Sequence, residues 1–193
     1  MAHANLGNLL DAREGAGAGV EHHRRAVEVY PDAFESNNAL GNHAARQGDF
    51  LRARAHFDAA LRVRPDDPLT YNNLGAMSGM QRDYAGARRW FEQGHERAPD
   101  NRDLLRNLVV VLSQVPDASV RDPALALRLA RRLVDVEAPS LMDEHALFRA
   151  VLLGGSRAEA LVTGRHVAER AMQQGDRRLA EQVARQLQRL EGN

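Results

Sequence analysis

The residues that could take part in chemistry are few, and their spacing matches none of the common catalytic motifs. Cysteine is absent, which excludes disulfides, thiolate metal sites and a cysteine nucleophile. The eight histidines include no His-x3-His pair, although a zinc site needs ligands that converge. We therefore expect no metal and no cofactor, and we assign the histidines to packing or to the surface. They are His3, His22, His23, His43, His56, His95, His145 and His166.

Two short glycine-containing segments also fail as phosphate-binding or catalytic motifs. Residues 15–19 read Gly-Ala-Gly-Ala-Gly, but a phosphate-binding loop follows a strand and begins a helix, whereas this segment follows a predicted helix. The segment Gly154-Gly155-Ser156 is predicted to be a turn between two helices. Because the sequence also lacks a Gly-x-Ser-x-Gly motif, we predict no catalytic residues and a protein that is not an enzyme.

The composition favours an all-α protein without a strongly charged surface. Hydrophobic residues make up 44% of the 193 residues and aromatic residues only 5%, so Leu, Ala and Val carry the apolar content. Ala and Leu are strong helix formers. Lys+Arg and Asp+Glu both number 26. This balance argues against nucleic acid and anionic membranes as partners, because a protein surface that binds either needs an excess of basic residues.

The sequence carries no sign of a targeting or membrane-spanning segment. Residues 1–10 lack the basic stretch followed by an apolar core that marks a signal peptide. No apolar run approaches the length of about 18 residues that a spanning helix needs. We therefore expect no membrane insertion, and a cytoplasmic protein or a soluble segment of a larger protein.

Several classes of residue recur at an interval of 34 along the chain. Because independent classes keep one register, we infer a chain built from repeats of that length. The recurring residues are Pro31, Pro65 and Pro99; Leu6-Gly7, Leu40-Gly41 and Leu74-Gly75; Ala53 and Ala87; and Phe57 and Phe91.

This period, with its Leu-Gly, Ala-x3-Phe and Pro positions, resembles the tetratricopeptide repeat, most specifically over residues 33–99. The resemblance implies an all-α solenoid, a right-handed superhelix of about five antiparallel helix pairs plus a C-terminal capping helix, forming a single domain over residues 1–193. The repeats are predicted at approximately 1–33, 34–67, 68–101, 102–139 and 140–174, with the capping helix at 176–191. In the first repeat, Gly19 and His23 replace the Ala and Phe; in the fourth, Val109 and Ala130 replace the Gly and Phe.

Local signals predict where the helices begin and end. Asp before Pro, or Asp four residues before a repeat's Ala, places a capping acceptor at a helix start. We predict caps at Asp49, Asp67, Asp83 and Asp122, and capping boxes at Asp32–Glu35 and Ser156–Glu159. The helices are predicted at roughly 2–14, 18–30, 33–47, 50–63, 68–81, 84–97, 101–114, 123–136, 141–153, 157–173 and 177–190.

The repeated small and large residues predict how each helix pair packs. The Gly of each Leu-Gly lacks a side chain, so the second helix of the pair can approach closely. Phe57 and Phe91 are predicted to be buried and to fill the space between adjacent repeats. His23 occupies the equivalent position in the first repeat and is therefore expected to be a packed core imidazole.

The resemblance also implies a concave groove lined by the first helix of each pair. The residue before each Leu-Gly faces into this groove, together with neighbours one before and three after it. These positions are rich in asparagine, whose amide offers a donor and an acceptor to an extended peptide backbone. The candidate peptide-binding residues are Asn5, Asn8, Asn38, Asn42, Asn72, Asn73, Arg106 and Asn107.

Three interpretations of this groove remain open. The asparagines are similar to the asparagine ladder in the repeat domain of O-linked N-acetylglucosamine transferase, which would imply recognition of a peptide backbone. A two-carboxylate clamp, another mode in the family, would want cations where Leu69 and Asp103 stand, which leaves Arg106 as the main inward cation. The asparagines could instead solvate the groove or bond to a neighbouring helix.

We predict a scaffold for protein–protein interaction that binds an extended peptide or a partner protein in this groove. An alternative is a non-catalytic repeat arm of a larger enzyme, such as a glycosyltransferase, that recruits protein substrates. Self-association through the convex or terminal faces is a third hypothesis.

Overall fold

The computed structural model describes residues 2–192, and this part of the chain consists of α-helices without a strand. The prediction of an all-α fold is confirmed, and no predicted helix boundary differs from the structure by more than two residues. The helices are α1 (Ala2–Glu14), α2 (Val20–Val29), α3 (Phe34–Arg46), α4 (Phe50–Val63), α5 (Pro68–Met80), α6 (Tyr84–Arg97), α7 (Arg102–Gln114), α8 (Pro123–Val134), α9 (Leu141–Gly154), α10 (Arg157–Gln173) and α11 (Arg177–Glu191).

Side-chain caps explain why the boundaries were predictable. The four predicted aspartate caps are confirmed, because each carboxylate accepts a hydrogen bond from a backbone N–H in the first turn of its helix. Ser156 likewise accepts from the N–H of Glu159 at 3.1 Å. Each such bond satisfies a backbone donor that the helix itself leaves unpaired. The caps are Asp49, Asp67, Asp83 and Asp122.

The predicted capping box at Asp32–Glu35 is wrong. The N-cap of α3 is Ala33, and no side chain caps this helix. Asp32 therefore lies one residue outside the position from which it could bond to the first turn. A capping box occurs instead at Ser140–Asp143, where the spacing fits but Asp replaces the usual Glu or Gln.

The described residues divide between Pro99 and Asp100 into two compact units. The first unit contains α1–α6 and the second contains α7–α11. The division falls close to the predicted end of the third repeat. None of the helices between residues 2 and 192 combines the length and the apolar character that crossing a membrane requires.

In the second and third helix pairs of the first unit, a phenylalanine of the second helix packs directly on a glycine of the first. A Cβ atom placed on Gly41 would lie 2.5 Å from Phe57 Cε1, and one placed on Gly75 would lie 2.4 Å from Phe91 Cε1. Only glycine therefore permits these approaches. Phe57 is 0% exposed and belongs to a cluster with Leu74 of α5, so it joins its own helix pair to the next.

The first repeat uses an imidazole where the others use a phenyl ring. His23 is 0% exposed, and a Cβ placed on Gly7 would lie 2.7 Å from its Cε1 atom. The Nδ1 atom lies 3.1 Å from Ser36 Oγ, and Nε2 lies 3.4 Å from Asp11 Oδ2. The prediction of a core imidazole is confirmed, and Ser36 supplies the polar contact that a buried imidazole requires.

This imidazole should make the stability of the first unit depend on pH. Burial lowers the pKa of His23, although the carboxylate of Asp11 partly opposes the shift. Burial also lowers the pKa of His56, and the nearby Arg52 lowers it further. The unfolded chain then binds more protons below the ordinary histidine pKa of about 6.5, so stability present above that pH is lost as the pH falls.

We therefore expect the unfolding free energy to decrease by on the order of 1 kcal/mol per pH unit below about 6.5. Urea titrations at several pH values between about 5 and 8 would measure the slope. A His23→Phe/Ser36→Ala variant, which removes the imidazole and the hydroxyl it contacts, should flatten the slope. A wild-type protein that becomes more stable towards pH 5 would contradict the assignment.

The second unit keeps the same register but exchanges the sizes of the paired residues. From the second repeat to the fifth, the eighth residue of the first helix is Gly41, Gly75, Val109 and then Phe148. The eighth residue of the second helix is Phe57, Phe91, Ala130 and then Gly164. A Cβ placed on Gly164 would lie 2.6 Å from Phe148 Cε2. The fifth repeat thus retains a ring against a glycine, with the two on opposite helices.

Candidate peptide-binding groove

A groove of about 280 Å³ lies in the first unit. Its walls come from the first helices α1, α3 and α5 and from the turn after α1. The 34-residue register places these helices in equivalent positions, which explains why they share one surface. The groove is lined by Asn8, Asp11, Ala16, Phe34, Glu35, Asn38, Ala39, Asn42, Arg46 and Leu69.

The apolar part of the groove is held in place by an ion pair. Phe34 is buried, and the guanidinium of Arg64 lies 4.0 Å from the centre of its ring. The same guanidinium donates to Glu35 Oε1 at 3.0 Å. Leu69 is 52% exposed and offers an apolar surface on α5, where a carboxylate clamp would want a cation.

Asn38 holds two helices together. Its Oδ1 atom accepts hydrogen bonds from Thr70 Oγ1 at 3.1 Å and from Asn73 Nδ2 at 3.3 Å. The residue is buried, with 4% exposed, so the bond from Thr70 is buried and the bond from Asn73 is partly buried. Asn38 and Asn73, both predicted to bind peptide, thus bond to each other between α3 and α5, as one of the open interpretations proposed.

Asn8 and Asn42 differ from Asn38, because neither side chain has a hydrogen-bond partner among residues 2–192. Asn8 is exposed on α1, and Asn42 is half-buried on α3. Both line the groove. An amide without a partner in the described chain is available to bond to an incoming group.

The charged side chains Asp11 and Arg46 at the groove differ in whether they have partners within the described chain. Asp11 Oδ1 accepts from the N–H groups of Gly17 and Gly19 at 2.9 and 2.7 Å. Burial alone would raise the pKa of Asp11, but these two donors and the nearby His23 lower it below its usual value. Asp11 therefore stabilises the glycine-rich turn through these hydrogen bonds. The exposed Arg46, in contrast, has no ion-pair partner within the described chain.

Three of the predicted asparagines of the first unit lie outside the set that lines the groove. Asn5 is exposed on α1, while Asn72 and Asn73 are half-buried on α5. Asn72 interacts with other residues of the chain, and Asn73 donates to Asn38. The structure thus brings together Asn8, Asn38 and Asn42 at the groove itself.

The other two candidates, Arg106 and Asn107, belong to α7 in the second unit. Arg106 donates through Nε to Asp143 Oδ1 at 2.8 Å and through Nη1 to Asp103 Oδ1 at 2.7 Å. Burial would lower the pKa of Arg106, but these hydrogen bonds raise it. Asn107 is half-buried and also interacts within the chain.

The partner of Arg106 is a fully buried carboxylate. Asp143 is 0% exposed and also accepts from Arg102 Nη2 and Ser140 Oγ, each at 2.6 Å. Burial would raise the pKa of Asp143, but the bonds from Ser140, Arg102 and Arg106 lower it. This network ties α7 to the start of α9, so the guanidinium of Arg106 is engaged in the fold. No sequence motif predicted the interaction between Arg106 and Asp143, because the two residues lie 37 positions apart.

The remaining polar residues offer no metal site within the described part of the chain. Among residues 2–192, no three His, Asp or Glu side chains converge. Asn37, which the sequence analysis did not single out, donates to Pro31 O at 2.8 Å and contacts His56 Nδ1 through its Oδ1 atom at 3.0 Å. Tyr71, 34 residues later, donates to Pro65 O at 3.0 Å, so this position repeats one structural bond.

Comparison with known proteins agrees with the repeat pattern. Residues 32–100 match the tetratricopeptide repeat family. No curated protein matches the chain in sequence.

Solved structures resemble the chain in fold. They include yeast Tom70, with a TM-score of 0.74 and 16% identity, covering 98% of this chain and 39% of that one. YrrB, described as a tetratricopeptide repeat protein with an unusual peptide-binding site, gives 0.66 and 19%, covering 90% of this chain and 94% of that one. PilW, a type IV pilus biogenesis factor, gives 0.71 and 16%, covering 97% and 91%.

The chain thus spans well under half of the length of the Tom70 chain. Because the sequence identities are 16–19%, the similarity to these structures is a similarity of fold. The match to the tetratricopeptide repeat family covers residues 32–100, and the fold of the described residues is an all-α tetratricopeptide repeat fold.

Proposed function

We propose that this protein is a non-catalytic scaffold that binds an extended segment of a partner polypeptide in the groove of the first unit. The observation that carries the proposal is the pair of amides without a partner in the described chain, Asn8 on α1 and Asn42 on α3, that line the groove. Each can donate to a backbone carbonyl and accept from a backbone N–H. An extended strand of peptide presents both groups at regular intervals.

The remaining lining residues suit a peptide of mixed character. Leu69 and the edge of Phe34 provide apolar contact for side chains that alternate along an extended chain. Arg46 provides a cation without an ion-pair partner in the described chain, which would favour an acidic residue near that end of the groove. Because Asp11 and Glu35 already accept from other groups, they repel an acidic ligand less than free carboxylates would.

The asparagine ladder is retained in this proposal in a narrower form. Asn38 and Asn73 bond across α3 and α5 and thereby fix the groove wall, while Asn8 and Asn42 read the ligand. YrrB, whose description includes a peptide-binding site, supports a binding role for this fold. The roles of individual residues in this chain are argued from its own contacts and not from YrrB.

We predict that Asn42→Ala weakens peptide binding about tenfold, because a hydrogen bond contributes roughly 0.5–1.5 kcal/mol and an unpaired backbone group on the ligand adds to the loss. A display library of unstructured peptides would supply ligands, and a fluorescence-anisotropy titration of a selected peptide would measure affinity. Asn5→Ala is the matched control, since Asn5 is an exposed asparagine outside the groove.

The two variants separate the possible outcomes. A loss with Asn42→Ala and none with Asn5→Ala supports the groove as proposed. Equal affinities for wild type and Asn42→Ala, with unchanged circular dichroism, would rule out the groove as the site. Arg46→Gln should reduce the affinity of acidic peptides and the salt dependence of their binding, since screening weakens exposed charge pairs.

A further inference from the structure

A second, largely apolar cleft lies in the second unit and is not part of the groove described above. Its volume is about 260 Å³, and it opens between the end of α8, the loop before α9, and the facing sides of α9 and α10. Val162, on its rim, is 70% exposed. The cleft is lined by Val134, Pro139, Glu144, Leu147, Val162, Thr163, His166 and Val167.

Glu144 is a carboxylate built into this apolar wall. The residue is only 8% exposed. Its Oε1 atom accepts from Arg170 Nη1 at 2.5 Å and lies 3.3 Å from His166 Nε2. Arg170 Nη1 also donates to Pro139 O at 3.1 Å, which anchors the loop that forms one edge of the cleft.

The second carboxylate oxygen of Glu144 is buried and has no hydrogen-bond partner in the described part of the chain. A buried acceptor without a donor is destabilising, and such groups are rare in folded proteins. The other polar side chains in the wall do not pair with it, because the hydroxyl of Thr163 donates to Glu159 O at 2.8 Å and His166 Nε2 lies next to Oε1. The cleft therefore has largely apolar walls and is lined by a residue, Glu144, that keeps one buried acceptor without a partner in the described chain.

The charge balance restricts what can complete this site. The guanidinium of Arg170 already compensates the charge of Glu144, so a cationic ligand would add an uncompensated charge beside Arg170 in an apolar cleft, which is unfavourable. A neutral group with one N–H or O–H donor and a large apolar body fits both features. Among protein side chains, these are the properties of tryptophan and tyrosine, whose polar atom finds a partner when the ring is buried.

We propose that this cleft binds a tryptophan or tyrosine side chain of a partner polypeptide, with the indole N–H or the phenol O–H donating to Glu144 Oε2. The ring lies against Leu147, Val162 and Val167. Such aromatic residues commonly dominate the energetics of protein interfaces. The site is independent of the groove in the first unit, so either proposal can fail while the other stands.

Three small probes test the proposal directly: N-acetyl-tryptophanamide, N-acetyl-tyrosinamide and N-acetyl-phenylalaninamide. Each is titrated into the isotope-labelled full chain, and binding is followed by amide and methyl chemical shifts. The first two should bind saturably with shifts centred on Val162 and Val167. The phenylalanine probe, which has a ring but no side-chain donor, should bind roughly tenfold more weakly.

Two variants assign the binding to the cleft and to the acceptor. Val162→Asp places a charge on an exposed rim position and should abolish binding, whereas Leu51→Asp, an exposed substitution in the first unit, should not change it. Glu144→Gln should remove the preference for tryptophan over phenylalanine, because the amide keeps its oxygen towards Arg170 and turns an N–H₂ group to the position of Oε2. Thermal unfolding checks that each variant is folded.

No saturable binding of any probe, equal affinity for the tryptophan and phenylalanine probes, or shifts unaffected by Val162→Asp would each overturn the proposal. Should Glu144→Gln not fold, the comparison of the three probes on the wild-type chain and on Val162→Asp decides the matter.

Discussion

Replacing Phe57 with alanine is expected to lower the free energy of unfolding of the first unit by about 3–5 kcal/mol. The ring is fully buried, and Gly41 leaves no side chain that could expand into the space. The cavity would open between α3 and α4 and would also remove the contact with Leu74 of the next repeat. Because repeat stability is nearly a sum of nearest-neighbour terms, losing one interface uncouples the repeats on its two sides.

Urea unfolding followed by the fluorescence of Trp90 would measure this loss, because Trp90 is the only tryptophan in the sequence and packs against the Phe57 cluster. Leu51→Ala is the matched control: it lies on the same helix but is 86% exposed, so little change is expected. An unchanged unfolding midpoint for Phe57→Ala would show that the repeat register is misassigned.

The reversed pair in the second unit should give the second large effect. Phe148→Gly alone should cost about 3–5 kcal/mol for the lost ring and about 1 kcal/mol more for glycine within a helix. Gly164→Phe alone should cost about 1–3 kcal/mol or more, because the new side chain meets Phe148 at once. The double variant restores one ring and one glycine, so its loss should be smaller than the sum of the two single losses by about 2–3 kcal/mol.

A double-mutant cycle in urea, followed by circular dichroism, would provide the coupling energy. Leu187 Cδ2 would lie 2.7 Å from a Cβ on Gly164, so some destabilisation should remain in the double variant. Combining Phe148→Gly with Leu51→Ala provides the control, since separated sites are expected to be additive within about 0.5 kcal/mol. Additive losses for Phe148→Gly and Gly164→Phe would mean that the two residues do not share one space.

The helices were predictable because their signals are local. Asp49 and Asp83 each bond within three residues of themselves, so the spacing in the sequence already contains the cap. The glycine–phenylalanine pairs were predictable because the repeat brings them together at a fixed interval. Phe148 and Gly164 were not recognised as such a pair, since each alone looks like the loss of a consensus residue.

The candidate site was harder to predict because side-chain availability depends on other helices. Asn38 and Asn42 are one turn apart on α3 and are chemically identical, yet Asn38 bonds to Thr70 and Asn73 while Asn42 bonds to nothing in the described chain. The state of Arg106 likewise depends on Asp143, a residue of another helix. The pattern of asparagines thus included three residues that line the groove, but it did not distinguish side chains that bond within the wall from those without a partner in the described chain.

The exchange between Phe148 and Gly164 also bears on how distant relatives of this chain would be recognised. A comparison that scores each position independently counts the exchange as two unrelated mismatches, whereas the space between the helices is filled in the same manner. The family match ends at residue 100, before Val109 and Ala130 begin the change. A comparison that scores pairs of positions jointly should extend through the fifth repeat, because the ring and the glycine together satisfy one constraint.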